Sequence, residues 1–221
     1  MISSPPKPSA DARPNATLTP ITAPTPPAPG ETPHTCRRCE LWAHATQAVT
    51  GEGPVPAAIM LVGEQPGDEE DQRGAPFVGP AGTLLVRALL QAGLTRDTVF
   101  ITNAVKHFKW QARGKRRLHK TPAQQEIAAC EVWLEEELAQ VQPQAVVALG
   151  ATAFRALTGQ ARGYAQARAA RDLVRGGAAL VVTWHPSAAV RVPNVEMRRA
   201  IFDDIVTALK LASERAGVSA G

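Results

Sequence analysis

The sequence is poor in cysteine and aromatic residues, and it has no long apolar run. Three cysteines occur in 221 residues. This odd number argues against a disulfide framework and for reduced thiols in a cytoplasmic protein. No stretch reaches the roughly 18 apolar residues that cross a bilayer, so we expect no membrane segment. The N-terminus lacks the apolar core of a signal peptide, and we expect no secretion signal.

Charge and composition leave room for a nucleic-acid partner. The formal net charge is +4, and 44% of the residues are hydrophobic. A mildly basic chain of this length permits binding to DNA or RNA without establishing it. The apolar content is sufficient for one sizeable core, and we expect a monomer with one folded domain.

The N-terminal segment differs in composition from the rest of the chain. Residues 1–33 are rich in Pro, Thr and Ala and show no apolar period. Such a segment cannot bury enough apolar surface to offset chain ordering, so we predict a disordered tail. We place the folded domain at residues 34–214 and a flexible C-terminus at residues 215–221.

Strand and helix patterns alternate along the folded part. Apolar runs predict strands at 58–63, 98–105, 145–150 and 178–187, and apolar periodicity predicts helices at 81–94, 121–141, 151–159 and 196–214. Thr121 and Pro122 are typical of a helix start, and Gly93 of a helix end. The rhythm predicts a three-layer α/β/α fold with a central, mainly parallel four-stranded sheet.

Polar motifs follow the predicted strands. They are GEQPG (63–67), Thr102-Asn103, the basic stretch GKRRLHK (114–120) and WHPS (184–187). Parallel sheets bind ligands at the carboxyl ends of their strands, so these motifs are expected to converge on one crevice. The basic stretch is expected to be a solvated loop.

Each motif allows a functional and a structural interpretation. A carboxylate at Glu64 can orient water or stabilise a cation, and Phe77 can stack on a flat ring. Asn103 offers two donors and one acceptor to a base edge. The alternatives are an ordinary strand-to-helix turn, a core phenylalanine and, for Asn103 and His185, local turn formation. The glycine spacing does not match the phosphate-binding motifs.

The cysteines allow a metal site. Cys36-x-x-Cys39 has the spacing of metal ligands, and Cys130 lies on a predicted helix. A buried core thiol at Cys130 with an unmetallated CxxC is the alternative.

Taken together, the motifs resemble the uracil-DNA glycosylase superfamily, family 4 branch. The likeness rests on residues 63–85, Thr102-Asn103, residues 146–153 and His185-Pro186-Ser187, which occur in the family's order, and it covers residues 34–210.

The resemblance implies the roles of the base-binding residues. Asn103 would read the O4 and N3–H edge of uracil, and His185 would donate to O2 as negative charge develops on the leaving base. Phe77 would stack on the flipped base. Gly63 and Gly67 would let the backbone approach the base closely. Ser187 would lie near a phosphate, while Val190 and Arg191 would fill the gap left in the DNA.

The family likeness also implies a [4Fe–4S] cluster held by four cysteines. This chain has Cys36, Cys39 and Cys130, and at the fourth position it has His107, which is a competent iron ligand. The expected ligands are therefore Cys36, Cys39, His107 and Cys130. Zinc bound by the same four residues is the alternative.

Within the superfamily, Gln65 and the KRR-x-H pattern of the basic stretch resemble the UdgX subgroup. That likeness implies excision of uracil from single-stranded DNA, followed by attack of His119 on C1′ of the sugar to form a lasting bond. Gln65 would hold the loop by a hydrogen bond, and Arg117 would anchor it to a backbone carbonyl or to Glu64.

Lys115 and Arg116 of the same stretch would meet phosphates. A turning-over family 4 hydrolase is one alternative for the chain, and a non-catalytic iron–sulfur protein that binds nucleic acid is another.

The nucleophilic role requires a neutral imidazole at His119. Histidine has an ordinary pKa of about 6.5. Arg116 and Arg117 would favour the neutral ring, and Glu64 would favour the cation.

Overall fold

The computed structural model describes residues 24–218. Within that range the backbone forms one five-stranded sheet, in the order β2-β1-β5-β7-β6, and a separate two-stranded hairpin, β3-β4. The strands are β1 (Ile59–Gly63), β2 (Phe100–Asn103), β3 (Trp110–Arg113), β4 (Arg116–His119), β5 (Ala145–Leu149), β6 (Val174–Arg175) and β7 (Ala178–Thr183).

Helices cover both faces of the sheet. They are α1 (Asp68–Arg73), α2 (Pro80–Gln91), α3 (Gln124–Val141), α4 (Ala151–Thr158), α5 (Tyr164–Ala169), α6 (Pro186–Arg191) and α7 (Val195–Arg215), with short 3-10 helices at Glu40–Ala43 and Arg96–Thr98. Successive strand residues point to opposite faces. Met60 and Val62 therefore join a core with α3, α4 and α5. Ile59 and Leu61 join a second core with α2, α6 and α7.

The three-layer α/β/α prediction is confirmed, with one more strand than expected. Strands β2, β1, β5 and β7 are parallel neighbours. The additional strand β6 pairs antiparallel with β7 at the sheet edge. It has only two residues, Val174 and Arg175, which is too short to produce a recognisable apolar pattern.

Several predicted boundaries differ from the structure. Helix α3 begins at Gln124 with Ala123 as N-cap, so the prediction of Thr121 and Pro122 as its start was wrong. The Glu126 carboxylate reaches back to accept from the Ala123 amide at 2.6 Å, which fixes the start there. Strand β7 ends at Thr183 instead of residue 187, because Pro186 opens helix α6.

The chain termini are described in part. Of the tail predicted to be disordered, residues 1–23 lie outside the described range. Residues 24–33 are irregular, and Arg38 binds the Thr25 carbonyl oxygen and the Glu31 carboxylate. Residues 219–221 of the predicted flexible C-terminus also lie outside it. No helix in the described part is long and apolar enough to cross a membrane.

Candidate active site

A cavity of about 150 Å³ opens at the carboxyl ends of the parallel strands. Strand β1 leads into Gln65, β2 ends in Asn103, and β7 leads into His185. The hairpin closes one side with His119. The lining residues are Gln65, Gly67, Glu70, Phe77, Ala81, Asn103, His119, His185, Ser187 and Arg191. The predicted convergence of motifs at the strand ends is what the topology produces.

Asn103 presents an unused acceptor to this cavity. Its side chain is buried, and its Oδ1 has no hydrogen-bond partner. An orphaned buried oxygen costs free energy unless a ligand donates to it. The buried Lys106, which the sequence analysis did not single out, fixes the backbone here. Its Nζ donates to the Asn103 carbonyl oxygen at 2.7 Å, to Thr102 Oγ1 at 2.8 Å and to Glu137 at 2.7 Å.

Phe77 forms the flat wall of the cavity. Its ring centroid lies 5.8 Å from that of His185, with 30° between the ring planes. Phe77 has φ 54°, a left-handed conformation that is uncommon for a non-glycine residue. A Cβ at Gly63 would lie 2.6 Å from the Phe77 ring and would also collide with Asn103 Oδ1. Glycine at position 63 therefore lets the ring and the amide approach each other.

His185 is held as a neutral donor. Its Nδ1 accepts from the Ser187 backbone amide at 3.2 Å and lies 2.8 Å from Ser187 Oγ. An accepting Nδ1 leaves the ring proton on Nε2. Burial lowers the pKa of His185 to about 4, and the positive charge of Arg191 acts in the same direction. Ser187 thus fixes the histidine in this structure.

Glu64 lies between two elements that are distant in sequence. The Thr152 hydroxyl, at the start of α4, donates to Glu64 Oε2 in a short hydrogen bond. Glu64 Oε1 is 3.3 Å from His119 Nε2. Glu64 Oε2 is therefore held by a residue of α4, and Glu64 Oε1 faces His119 of the hairpin.

The basic stretch, residues 114–120, forms the turn and the second strand of a hairpin, so the prediction of a solvated loop was wrong. Trp110 pairs with His119 and Arg113 with Arg116 around a two-residue turn. Gly114 in that turn has φ 58°, as tight hairpin turns require. Gly114-Lys115 was the feature of the sequence that could have indicated a hairpin turn. The residues on either side of it lack the alternation of apolar and polar side chains that indicates strands. Because side chains alternate along a strand, Arg117 and His119 share one face.

Gln65 fastens the open end of this hairpin. Its Oε1 accepts from the Lys109 amide at 3.0 Å. Its Nε2 donates to the carbonyl oxygens of Lys109, at 3.2 Å, and Lys120, at 3.0 Å. Lys109 precedes β3 and Lys120 follows β4, so one buried amide bonds both sides of the hairpin next to His119.

Arg117 forms the second attachment. Its Nη1 donates to Asp71 Oδ2 at 2.6 Å, and its Nε lies 2.5 Å from Asp68 Oδ1. The expected contact with Glu64 is replaced by these two carboxylates of α1. A longer bond of 3.4 Å reaches the Asp68 carbonyl oxygen. Asp71 is fully buried, and its carboxylate also accepts from the Thr46 amide at 2.9 Å.

His119 favours the neutral ring. Burial lowers the pKa of His119, the charge of Arg191 lowers it further, and Glu64 opposes both. Arg191 therefore has the electrostatic role that was expected of Arg116 and Arg117. Arg116 lies on the opposite face of β4, and the charge of Arg117 is paired with α1.

The remaining predicted residues divide into two groups. Gly67, Ser187 and Arg191 line the cavity. Lys115 and Arg116 lie exposed at the hairpin tip and do not line it. The sequence analysis missed the buried Glu70, whose carboxylate accepts from the amides of Gly67, at 3.1 Å, and Gly79, at 2.8 Å.

The three cysteines belong to the core on the α3 side of the sheet. Cys36 and Cys130 are buried in the core cluster under α3, and Cys39 packs against it. All three are free thiols, and the Lys106 amide donates to Cys130 Sγ at 3.3 Å. Burial raises the pKa of Cys130 to about 12.

His107 is buried nearby and suits a metal in kind. Burial and the charge of Arg37 lower the pKa of His107 to about 4, which leaves a neutral imidazole. Buried thiols and a neutral imidazole are the donors that iron–sulfur or zinc sites use. Within residues 24–218, however, no three such side chains converge as a preformed metal group.

Comparison with known proteins agrees with this geometry. Residues 50–210 match the family described as the uracil DNA glycosylase superfamily. A type-4 uracil-DNA glycosylase of Thermotoga maritima is 37% identical over 171 residues, covering 77% of this chain and 85% of the relative. One of Sulfurisphaera tokodaii is 34% identical over 190 residues, 80% of each chain. A type-5 uracil-DNA glycosylase of Pyrobaculum aerophilum is 32% identical over 197 residues, 82% of each.

Proposed function

Because the chain belongs to the uracil-DNA glycosylase superfamily, we propose that it excises uracil from DNA and then traps the sugar on His119. The observation that carries the proposal is the cavity lined by the Asn103 amide, by the neutral donor His185 and by His119, whose Nε2 lies 3.3 Å from Glu64 Oε1.

The base-binding side of the cavity suits uracil. The orphaned Oδ1 of Asn103 can accept from uracil N3–H, and its amide nitrogen can donate to O4. His185 carries its proton on Nε2 and can donate to O2 as the N-glycosidic bond breaks. Cytosine has an acceptor at N3 and a donor at N4, so it would oppose the same amide. Phe77 supplies a face on which the base stacks.

The sugar side suits covalent capture. When the N-glycosidic bond breaks, uracil leaves with the electron pair, and C1′ becomes electron-poor. The unprotonated ring nitrogen of His119 donates its lone pair and forms the bond to C1′. The alkylated ring then carries positive charge beside Glu64, whose Oε1 is 3.3 Å from Nε2 before reaction. A carboxylate at that distance stabilises both the cationic sugar and the cationic ring.

The attachments of the hairpin support assignment to the UdgX subgroup. Gln65 binds both sides of the hairpin, and Arg117 ties it to α1. Both contacts would hold His119 beside Glu64. A nucleophile that is already positioned next to the reacting carbon is favoured over a water that must diffuse to it.

Ordinary hydrolysis is the second candidate. It is favoured by the similarity to relatives named type-4 uracil-DNA glycosylases. In that case a water beside Glu64 attacks C1′, and His119 only contacts the sugar.

The cofactor forms part of the proposal. Cys36, Cys39, Cys130 and His107 would hold a [4Fe–4S] cluster, with Zn²⁺ as the alternative. The gathering of three thiols in one core supports this set. The group would tie the N-terminal segment to α3 and has no step in the reaction. Iron content and absorption near about 400 nm would identify the cluster, and zinc without that absorption would identify the alternative.

The substrate would be single-stranded DNA, bound by a monomer. Unpairing a base costs a few kcal/mol, and a single strand avoids this cost. The exposed Lys115 and Arg116 of the hairpin would contact phosphates beside the cavity.

One denaturing gel tests the proposal. The protein is incubated with uracil-containing single-stranded DNA, and the products are separated under denaturing conditions. A stoichiometric shifted band is expected. Free abasic product without a shift would replace covalent capture by hydrolysis. The absence of both products would leave a non-catalytic protein that binds nucleic acid.

A further inference from the structure

A trough continues from the candidate active-site cavity along helix α2. The cavity shares Gly67, Ser187 and Arg191 with a neighbouring depression of about 230 Å³. That depression shares Pro80 and Val190 with a larger one of about 530 Å³. We call the larger depression the α2 trough; its walls include Val78, Thr83, Leu84, Arg87, Val190 and Arg198.

The α2 trough carries positive charge that is not neutralised. Arg87 and Arg198 are exposed, and within residues 24–218 neither forms a salt bridge. Val192 fixes Arg198 through its carbonyl oxygen, at 3.1 Å from Nη2, which leaves the charge intact. Arg87 lies 5.7 Å from the ring centroid of Phe202. The acidic residue of the wall, Glu69, contacts Arg73 at 3.7 Å.

The beginning of α2 does not offer the usual anion site. The Gly79 amide, at the N-cap of α2, already donates to the Glu70 carboxylate at 2.8 Å. A phosphate placed there would meet like charge from Glu70. An anionic ligand in the trough is therefore expected to bind at Arg87 and Arg198 and not at the beginning of α2.

The walls between these arginines are apolar. Val78 and Leu84 are partly buried, and Val190 is 45% exposed. An unpaired strand suits this surface, because its bases can cover the apolar walls while its phosphates contact the two arginines. A duplex turns its bases inward toward the complementary strand and would leave the apolar wall uncovered.

We infer that the α2 trough binds the single-stranded DNA that flanks the flipped nucleotide on one side, with phosphates at Arg87 and Arg198. The inference rests on the proposed function, because the strand would run from the cavity into the trough only if the cavity holds the flipped uracil. It assigns the two arginines to binding along the strand and gives them no part in bond cleavage.

Binding and excision are measured separately to test it. Binding uses fluorescence anisotropy with a labelled single strand that contains thymine in place of uracil, over a series of salt concentrations. The double variant Arg87→Ala/Arg198→Ala should bind more weakly. Its slope of log K against log salt should be reduced by about 0.7 for each lost phosphate contact. Arg87→Lys/Arg198→Lys should recover the slope, because lysine keeps the charge.

The control is Arg171→Ala, which removes one positive charge, against two in the double variant, from a cavity that shares no lining residue with the trough. It should leave the slope unchanged. Two strands that carry an uncleavable analogue of deoxyuridine near the 5′ end or near the 3′ end give the direction, because the analogue fixes which nucleotide occupies the cavity. The double variant should weaken binding to only one of them, the strand that retains the flank in the trough.

Equal weakening on both strands, or a loss no larger than that of Arg171→Ala, would overturn the inference and leave the trough to another partner. Excision at saturating protein is expected to persist in the double variant. A wild-type protein that binds through the trough but neither excises uracil nor forms an adduct would contradict the proposed function alone.

Discussion

The two histidines of the cavity belong to regions with different construction. His185 follows a central strand, is bonded to Ser187, and has its pKa lowered to about 4 by burial. His119 lies on a two-stranded hairpin outside the main sheet, and its side chain is 40% exposed. The first is fixed by the core of the fold. The second is positioned by the side-chain contacts of Gln65 and Arg117, which hold the hairpin from outside the main sheet.

Removing His119 should produce the largest change. His119→Ala deletes the proposed nucleophile but leaves the strand-end pocket intact, so the adduct should fall to background while abasic product can still form. The measurement is the shifted band on a denaturing gel. His44→Ala is the control, because within residues 24–218 only backbone atoms of His44 form hydrogen bonds: its amide donates to the Leu41 carbonyl oxygen at 3.2 Å, and its carbonyl oxygen accepts from Trp110 Nε1 at 2.9 Å. A wild-type yield of adduct in His119→Ala would remove the assignment.

Removing His185 should affect the step before capture. His185→Ala deletes a donor to the leaving base, and loss of one such donor costs about 10²–10³-fold in rate. Uracil release and adduct formation should decline together in single-turnover experiments. If release stayed fast while only the adduct was lost, the two histidines would not have the separate roles described here.

The attachment of the hairpin can be tested with two neighbouring arginines. Arg117→Ala leaves the buried carboxylate of Asp71 without its ion pair, which should lower the free energy of unfolding by about 1–3 kcal/mol. It should also shift products from adduct toward free abasic DNA. Arg116→Ala, on the opposite face of the same strand, is the matched control; at saturating protein, where a lost phosphate contact no longer limits binding, it should change neither. Thermal or urea unfolding gives the first quantity and the gel the second.

The pH dependence should be the smallest effect near neutrality. The pKa of His119 is lowered, so the ring stays neutral at about pH 7 and above, and adduct formation should be flat there. As pH falls below the ordinary histidine pKa, the ring becomes protonated and the rate should decline. Glu64→Gln should move the midpoint to lower pH and Arg191→Ala to higher pH. A decline that begins above about pH 7 in the wild-type protein would mean that the pKa is raised.

The main sheet and the strand-end residues could be predicted because their signals are local. Continuous apolar runs such as Ile59–Gly63 occur where a strand is buried on both faces, and the polar residue that follows each run lies at the ligand-binding edge. Asn103, His185 and Glu64 were singled out in this way, and the structure places each at or just after the end of a strand. The family match covers residues 50–210, which contain all three.

The hairpin could not be predicted in the same way. Its strands Trp110–Arg113 and Arg116–His119 are largely polar and exposed, so they lack the apolar alternation that marks a strand. The edge strand Val174–Arg175 is too short to be recognised. Both elements depend on partners that lie elsewhere in the fold.

The sequence by itself determined the order of strands and helices and the residue types at the strand ends, because burial imposes apolar periodicity on neighbouring residues. The tertiary structure decided which charges and hydrogen bonds act on them. Thr152 reaches Glu64, Arg117 reaches Asp71, and burial, with Arg191 instead of Arg116, lowers the pKa of His119. These pairs are separated by tens of residues, and only the folded chain brings them together.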